Sequence, residues 1–154
     1  MKANLFIAVA ASALLIAAST SAQEKKIKRS DLPPAVEKTV AAQSTGATIK
    51  GFSTEKENGQ TLYEAEMTVN GHSKDISMTA DGSIVEIEEQ VALDSLSADV
   101  KAGLQTKAGK GKILKVESLT KKGKLVAYEA KVDTNGKKSE VQVGPDGKPL
   151  DHEE

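Results

Sequence analysis

One stretch of this sequence occurs twice. From Leu62 the chain reads LYEAEMTVNGHSKDISMTADGSIVE, and from Val126 it reads VAYEAKVDTNGKKSEVQVGPDGKPLD. Tyr63-Glu64-Ala65 returns as Tyr128-Glu129-Ala130, sixty-five positions on, and at that same offset Asn70-Gly71 returns as Asn135-Gly136 and Asp81-Gly82 as Asp146-Gly147. Ile76 and Met78 return as Val141 and Val143. Turns and apolar positions that agree at one offset mark a duplicated unit, so the fold must be one that the same small motif can build twice.

The first residues are read separately. Met1-Lys2 is a short positive start, Leu5 to Ala18 is almost wholly apolar, and Ser19-Thr20-Ser21-Ala22 supplies the small residues that a signal peptidase reads. The apolar run falls short of the ~20 residues that a membrane span needs. Residues 1–22 are therefore expected to be a signal peptide cleaved after Ala22, and the mature chain to be periplasmic or secreted, with no membrane span. An exported chain without a single cysteine must rely on a hydrophobic core rather than on disulfides. Acidic and basic side chains nearly balance, 22 against 21, which argues against a nucleic-acid partner.

Residues 23–30 (QEKKIKRS) are polar, charged and without periodicity, and read as a flexible N-terminal arm. Leu32-Pro33-Pro34 opens a helix, since proline fits a first turn whose N–H groups have no helical partner. Leu32, Val36 and Val40 give it an apolar stripe, and Gly46 ends it. A second helix starts near Ser97, a good N-cap, with Leu96, Val100 and Leu104 on one face. Both are short and need a sheet to lie on.

The strands follow as Thr48–Glu57, Gln60–Val69, His72–Thr79 and Ser83–Glu89, then Lys112–Thr120, Lys124–Asp133, Lys137–Val143 and a short Lys148–Leu150. Asn-Gly and Asp-Gly at their ends supply the positive φ angles of tight hairpins, so neighbours pair antiparallel as a meander. Alternation places Tyr63, Ala65, Met67 and Val69, with Tyr128, Ala130 and Val132, on the face that meets the helices. Glu64, Glu66, Thr68, Asp75, Ser77, Glu129, Lys131, Asp133, Glu140 and Gln142 fall on the other. The first strand of each unit is ambiguous, because Ile49 and Phe52 fall on opposite faces. The fold class that results is α+β, with two tandem repeats at 31–90 and 91–150, each one helix on a four-stranded antiparallel meander. Residues 151–154 form an acidic tail.

The ordered set Leu32-Pro33-Pro34-Ala35-Val36, Tyr63-Glu64-Ala65 and Ala80-Asp81-Gly82-Ser83-Ile84-Val85 resembles the PepSY-like family. It is repeated as Leu96-Ser97-Ala98-Asp99-Val100, Tyr128-Glu129-Ala130 and Pro145-Asp146-Gly147-Lys148-Pro149-Leu150. The tandem arrangement resembles in particular the branch that shares its fold with β-lactamase inhibitor proteins. The resemblance implies an exported, non-catalytic binding module that restrains a secreted peptidase or another envelope enzyme with its outer sheet face. Two departures stand out. The inhibitors' disulfides are absent, and the expected outer face carries no Trp, Tyr or Arg, the usual anchors of protein-binding faces.

Little catalytic chemistry is on offer. The only histidines are His72, just after a hairpin turn, and His152, in the tail. Neither position supports a nucleophile–base pair, so no enzyme and no cofactor are expected. Glu86, Glu88 and Glu89, with Glu64 and Glu66, form an acidic patch suited to Ca²⁺ or a basic peptide. Calcium takes about six to eight oxygens, which strand carboxylates seldom provide, so the expectation is a solvated sheet face. The function expected is protein or peptide binding through Glu64, Glu66, Glu129 and Lys131. The alternative is a small-ligand or metal-ion sensing envelope protein with a cleft between the units.

Overall fold

The computed structural model describes residues 24–57, 59–152 and 154. The leader expected over 1–22, with its cleavage point, lies outside the described residues. The remainder is α+β: one antiparallel sheet of eight strands in sequence order, with two helices. The strands are β1 (Lys25–Ile27), β2 (Ala47–Glu57), β3 (Gln60–Val69), β4 (His72–Met78), β5 (Ile84–Val91), β6 (Lys112–Lys121), β7 (Lys124–Thr134) and β8 (Lys137–Val143). The helices are α1 (Pro34–Gln43) and α2 (Ala98–Ala108).

The helices begin as their sequences dictate. Pro34 takes the first helical position of α1. Ser97 caps α2, its Oγ accepting the Val100 N–H at 3.3 Å. Val36 and Val40 bury against Phe52, Ala65, Met67, Ile76 and Met78, while Val100 and Leu104 bury against Val116, Ala130, Val132 and Val143. Tyr63 and Tyr128 are partly buried at the margins of these two cores. Each fully buried aliphatic side chain contributes about 1.5–3 kcal/mol, which anchors helices too short to persist alone.

The ambiguity at Ile49 and Phe52 is resolved by a β-bulge. The register between β2 and β3 shifts between Ile49 and Gly51, so both apolar residues turn to the same core. The shift between Ile113 and Lys115 does the same for Ile113 and Val116, and leaves Leu114 turned outward, 46% exposed.

Three features differ from expectation. Lys25–Ile27, inside the expected arm, is an edge strand antiparallel to β2, because Ile27 opposite Phe52 packs on the first core. Lys148–Leu150 is not a strand: after β8 the chain turns through Asp146-Gly147, and Pro149 has no N–H to give a ladder. Above all, the sheet does not divide into two four-stranded units. β5 continues through Val91 and pairs with β6, Glu86 opposite Lys121 through Val91 opposite Val116. The expected boundary between the repeats, at residues 90 and 91, therefore falls inside a strand.

The Asp-Gly turns are fixed by contact as well as by φ. Gly82 has φ +81°, and a Cβ there would stand 2.5 Å from the Ala35 carbonyl oxygen. Gly147, φ +79°, would meet the Asp99 carbonyl oxygen at 2.3 Å. Each turn thus presses backbone to backbone on the first turn of a helix, and the Thr39 hydroxyl donates to the Gly82 carbonyl at 2.8 Å. Gly136, φ +86°, has open space around it. Gly82→Ala and Gly147→Ala should each destabilise by about 2–4 kcal/mol, the sum of strain and overpacking, whereas Gly136→Ala should cost about 1 kcal/mol. Chemical denaturation of the three variants checks the ranking.

Candidate functional site

Both helices lie on one face of the sheet, so the other face is open. Glu55 on β2 and Lys121 on β6 line the same trough of about 450 Å³, with Leu62, Ser77 and Glu86. Strands are about 4.8 Å apart, so side chains four strands apart meet only if the open face is concave. Concavity explains the burial there: Ser53, Glu117, Leu119 and Ala127 are all shielded from solvent without any helix above them.

Carboxylates dominate this face. Glu64 is half-buried and accepts a hydrogen bond from the Ser53 hydroxyl at 3.0 Å. Burial, opposed by that bond and reinforced by Asp75, pushes its pKa up to about 7. Glu88 on β5 is pushed further, to about 8, first by burial and then by the charges of Glu86, Glu117, Glu129 and Asp75. Asp75 and Glu129 are likewise raised, mainly by burial; Lys115 and Lys131 work against the shift at Asp75, and the Gln142 amide, donating at 3.0 Å, against that at Glu129.

At the centre lies Glu117, 1% exposed. Its Oε1 holds the Lys115 Nζ at 2.6 Å and accepts from the Ser73 hydroxyl at 3.3 Å. Lys131 Nζ stands 3.5 Å from Oε2 and equally 3.5 Å from Glu140. Burial opposes the charge on Lys131, but Glu117, Glu140 and Glu129 together raise its pKa.

Of the four residues expected to carry binding, Glu64, Glu129 and Lys131 stand on this face within the carboxylate network. Glu66, opposite Asp75 in the register, adds its charge to the fields at Glu64 and Asp75. Glu117 was not among them. Read by strict alternation from Ile113, Glu117 would point to the core; the bulge at Leu114 moves it to the open face, and only the placement of a charge beside Val116 hints at this. The tail also differs from a solvated end: the Glu154 N–H donates to Gln142 Oε1 at 2.8 Å, and its carboxylate lies 3.6 Å from Lys121.

These features define an α+β protein of BLIP-like fold, with helices covering one face of the sheet and a concave acidic face left open. Three solved structures from Bacteroides share the fold. A protein proposed to be periplasmic from Bacteroides eggerthii superposes with a TM-score of 0.62 at 18% identity, over 77% of this chain and 86% of that one. A DUF2874-family protein from Bacteroides ovatus gives 0.58 at 20% identity, over 77% and 84%. A BLIP-like protein from Bacteroides fragilis gives 0.55 at 18% identity, over 75% and 81%. No protein-family model and no curated protein matches the sequence. No helix among the described residues is long and apolar enough to cross a membrane.

The raised carboxylates make stability depend on pH. Folded Glu88 and Glu64 bind protons up to about pH 8 and 7, whereas unfolded glutamates release them near the ordinary carboxylate value. Their contribution is therefore fully present below that value and is lost as pH rises towards 8. Thermal unfolding without divalent salts should give a Tm several degrees lower at pH 8 than at pH 5. Glu88→Gln should flatten this slope.

Proposed function

We propose that this chain is an exported, non-catalytic binding module of the PepSY-like kind, holding a protein or peptide partner on the concave face of its sheet. The observation that carries the reading is the open face itself. It spans strands on both sides of the β5–β6 pairing, is concave, and holds Glu64, Asp75, Glu88 and Glu129 partly out of water with too few cations among them. Such a face suits a partner that brings basic groups, since opposite charge relieves the cost of the desolvated carboxylates. Export rests on the leader read at residues 1–22, and the fold shared with a BLIP-like protein supports a role in restraining an enzyme. The absence of catalysis rests on chemistry: the chain has no cysteine, and His72 and His152 are both exposed, at a turn and in the tail.

Small-ligand or metal-ion binding is the second reading, and it is favoured by one specific observation, the close approach of three carboxylates at the centre of the face.

The test is inhibition. A panel of secreted peptidases and β-lactamases assayed with the purified protein should show one class inhibited. Glu66→Lys on the concave face should weaken that inhibition roughly tenfold or more, while Lys107→Glu on the outer side of α2 should leave it unchanged. Equal loss from the helix variant would move the binding face to the opposite side. Inhibition of no enzyme in the panel would remove the restraining role.

A further inference from the structure

We propose that Asp75, Glu88 and Glu117 form a binding site for a hard divalent cation, best fitted by Ca²⁺. The three residues come from three adjacent strands, β4, β5 and β6. Asp75 sits directly opposite Glu88 in the register, and Glu117 lies diagonally across on the next strand, opposite Gln90. One carboxylate oxygen from each lies within 4.8 Å of the other two. Calcium–oxygen distances are about 2.3–2.6 Å, so two ligands on opposite sides of one ion stand about 4.8 Å apart. Oxygens within that limit of one another are close enough to share one ion.

A second observation singles out this cluster from the other acids of the face. Glu117 is buried, and while its Oε1 is held by Lys115 and Ser73, its Oε2 is shielded from solvent and accepts no hydrogen bond. A buried carboxylate oxygen without a donor is costly and uncommon. The nearest cation, Lys131, is at 3.5 Å, half exposed and shared with Glu140. It is a loose partner that can move to Glu140 and leave Oε2 to an ion. Lys115 remains on Oε1, so Glu117 would offer one oxygen, with Asp75 and Glu88 offering up to two each and water completing the shell.

The donor set decides the class of ion. All ligands are carboxylate oxygens, with no imidazole or thiolate among them, which disfavours zinc and copper. Magnesium demands a near-ideal octahedron, whereas calcium accepts irregular geometry and bidentate carboxylates. The raised proton affinities of Asp75 and Glu88 fit the same picture: burial is their main cause, and the facing carboxylates add a negative field that an ion would offset. The site lies in the face assigned above to a partner, but it is tested on the protein alone, so either reading can fail without the other.

Chelator-treated protein titrated calorimetrically with CaCl₂ in ~0.15 M NaCl, an ionic strength that screens loose surface binding, should show one saturable site and a raised Tm. Mg²⁺ should bind more weakly. Asp75→Asn and Glu88→Gln should each weaken Ca²⁺ binding by roughly tenfold or more, at least the loss that removing a supporting group causes in other metal sites. Lys131→Met should tighten it, because the ion no longer competes with the ammonium. Should a ligand variant fail to fold, amide shifts on adding Ca²⁺ to the wild-type protein decide: changes centred on residues 73–77, 86–90 and 115–119 support the site. No heat, no Tm shift and no amide changes with Ca²⁺, Mg²⁺ or Mn²⁺ would overturn it. So would binding that the Asp75 and Glu88 variants leave intact, or shifts centred on the Asp81 and Asp146 turns.

Discussion

The pairing of β5 with β6 is the interaction on which the rest of the structure depends. Six consecutive residue pairs, from Glu86–Lys121 to Val91–Val116, turn two short meanders into one sheet. Each meander alone would carry a long exposed edge at the place where the other now sits. The pairing also brings together groups far apart in sequence. The Ser73 N–H donates to Gln90 Oε1, Lys115 Nζ donates to Ser73 Oγ, and Ser73 Oγ donates to Glu117. The central carboxylates exist as a cluster only because of this seam: Asp75 and Glu88 come from one side of it and Glu117 from the other.

With both helices on one face, hydrophobic burial is satisfied there and places no demand on the other. That freedom lets the open face keep charged groups, and the concavity of the sheet then desolvates them. Burial is the largest contribution to the raised pKa of Glu64, Asp75, Glu88 and Glu129. A face selected for stability alone would replace such groups with apolar or well-paired ones. Carboxylates kept where they cost stability are the expected mark of a surface that something else completes.

Much of this architecture is legible in the sequence where a local rule acts alone. Proline opening α1, Ser97 capping α2, and the Asn-Gly hairpins with Asn70 and Asn135 at positive φ all follow from the chemistry of one or two residues. So does the alternation that sends Ala65, Met67, Ala130 and Val132 inward. What is not legible depends on distant partners. Ile27 is an unremarkable residue in a charged segment until Phe52 is beside it. Gly51 marks the bulge near Lys50, but no such residue announces the one near Leu114, and each reverses which residues of its strand face the core. The β5–β6 pairing joins strands on either side of α2, and no short-range pattern encodes it. Glu117 depends on both a bulge and that pairing, which is why the most buried charge of the face escapes a reading by alternation.

Corresponding places on the two sides of the seam show where the halves have parted. Phe52 opposes Ala65 as Val116 opposes Ala130, so Ser53 opposite Glu64 corresponds to Glu117 opposite Glu129. Both positions are buried. In the first half the pair is neutral against acid, and one hydrogen bond from Ser53 satisfies Glu64. In the second half an acid faces an acid, and Glu129 turns to Gln142 while Glu117 draws in Lys115, Lys131 and Ser73. The backbone framework is the same at both places, so the fold does not require a carboxylate at 117. A serine there would remove a buried charge and the orphaned oxygen together. That the chain carries glutamate instead, at the position where it meets Asp75 and Glu88 across the seam, gives the centre of the concave face a carboxylate cluster that neither half could assemble alone.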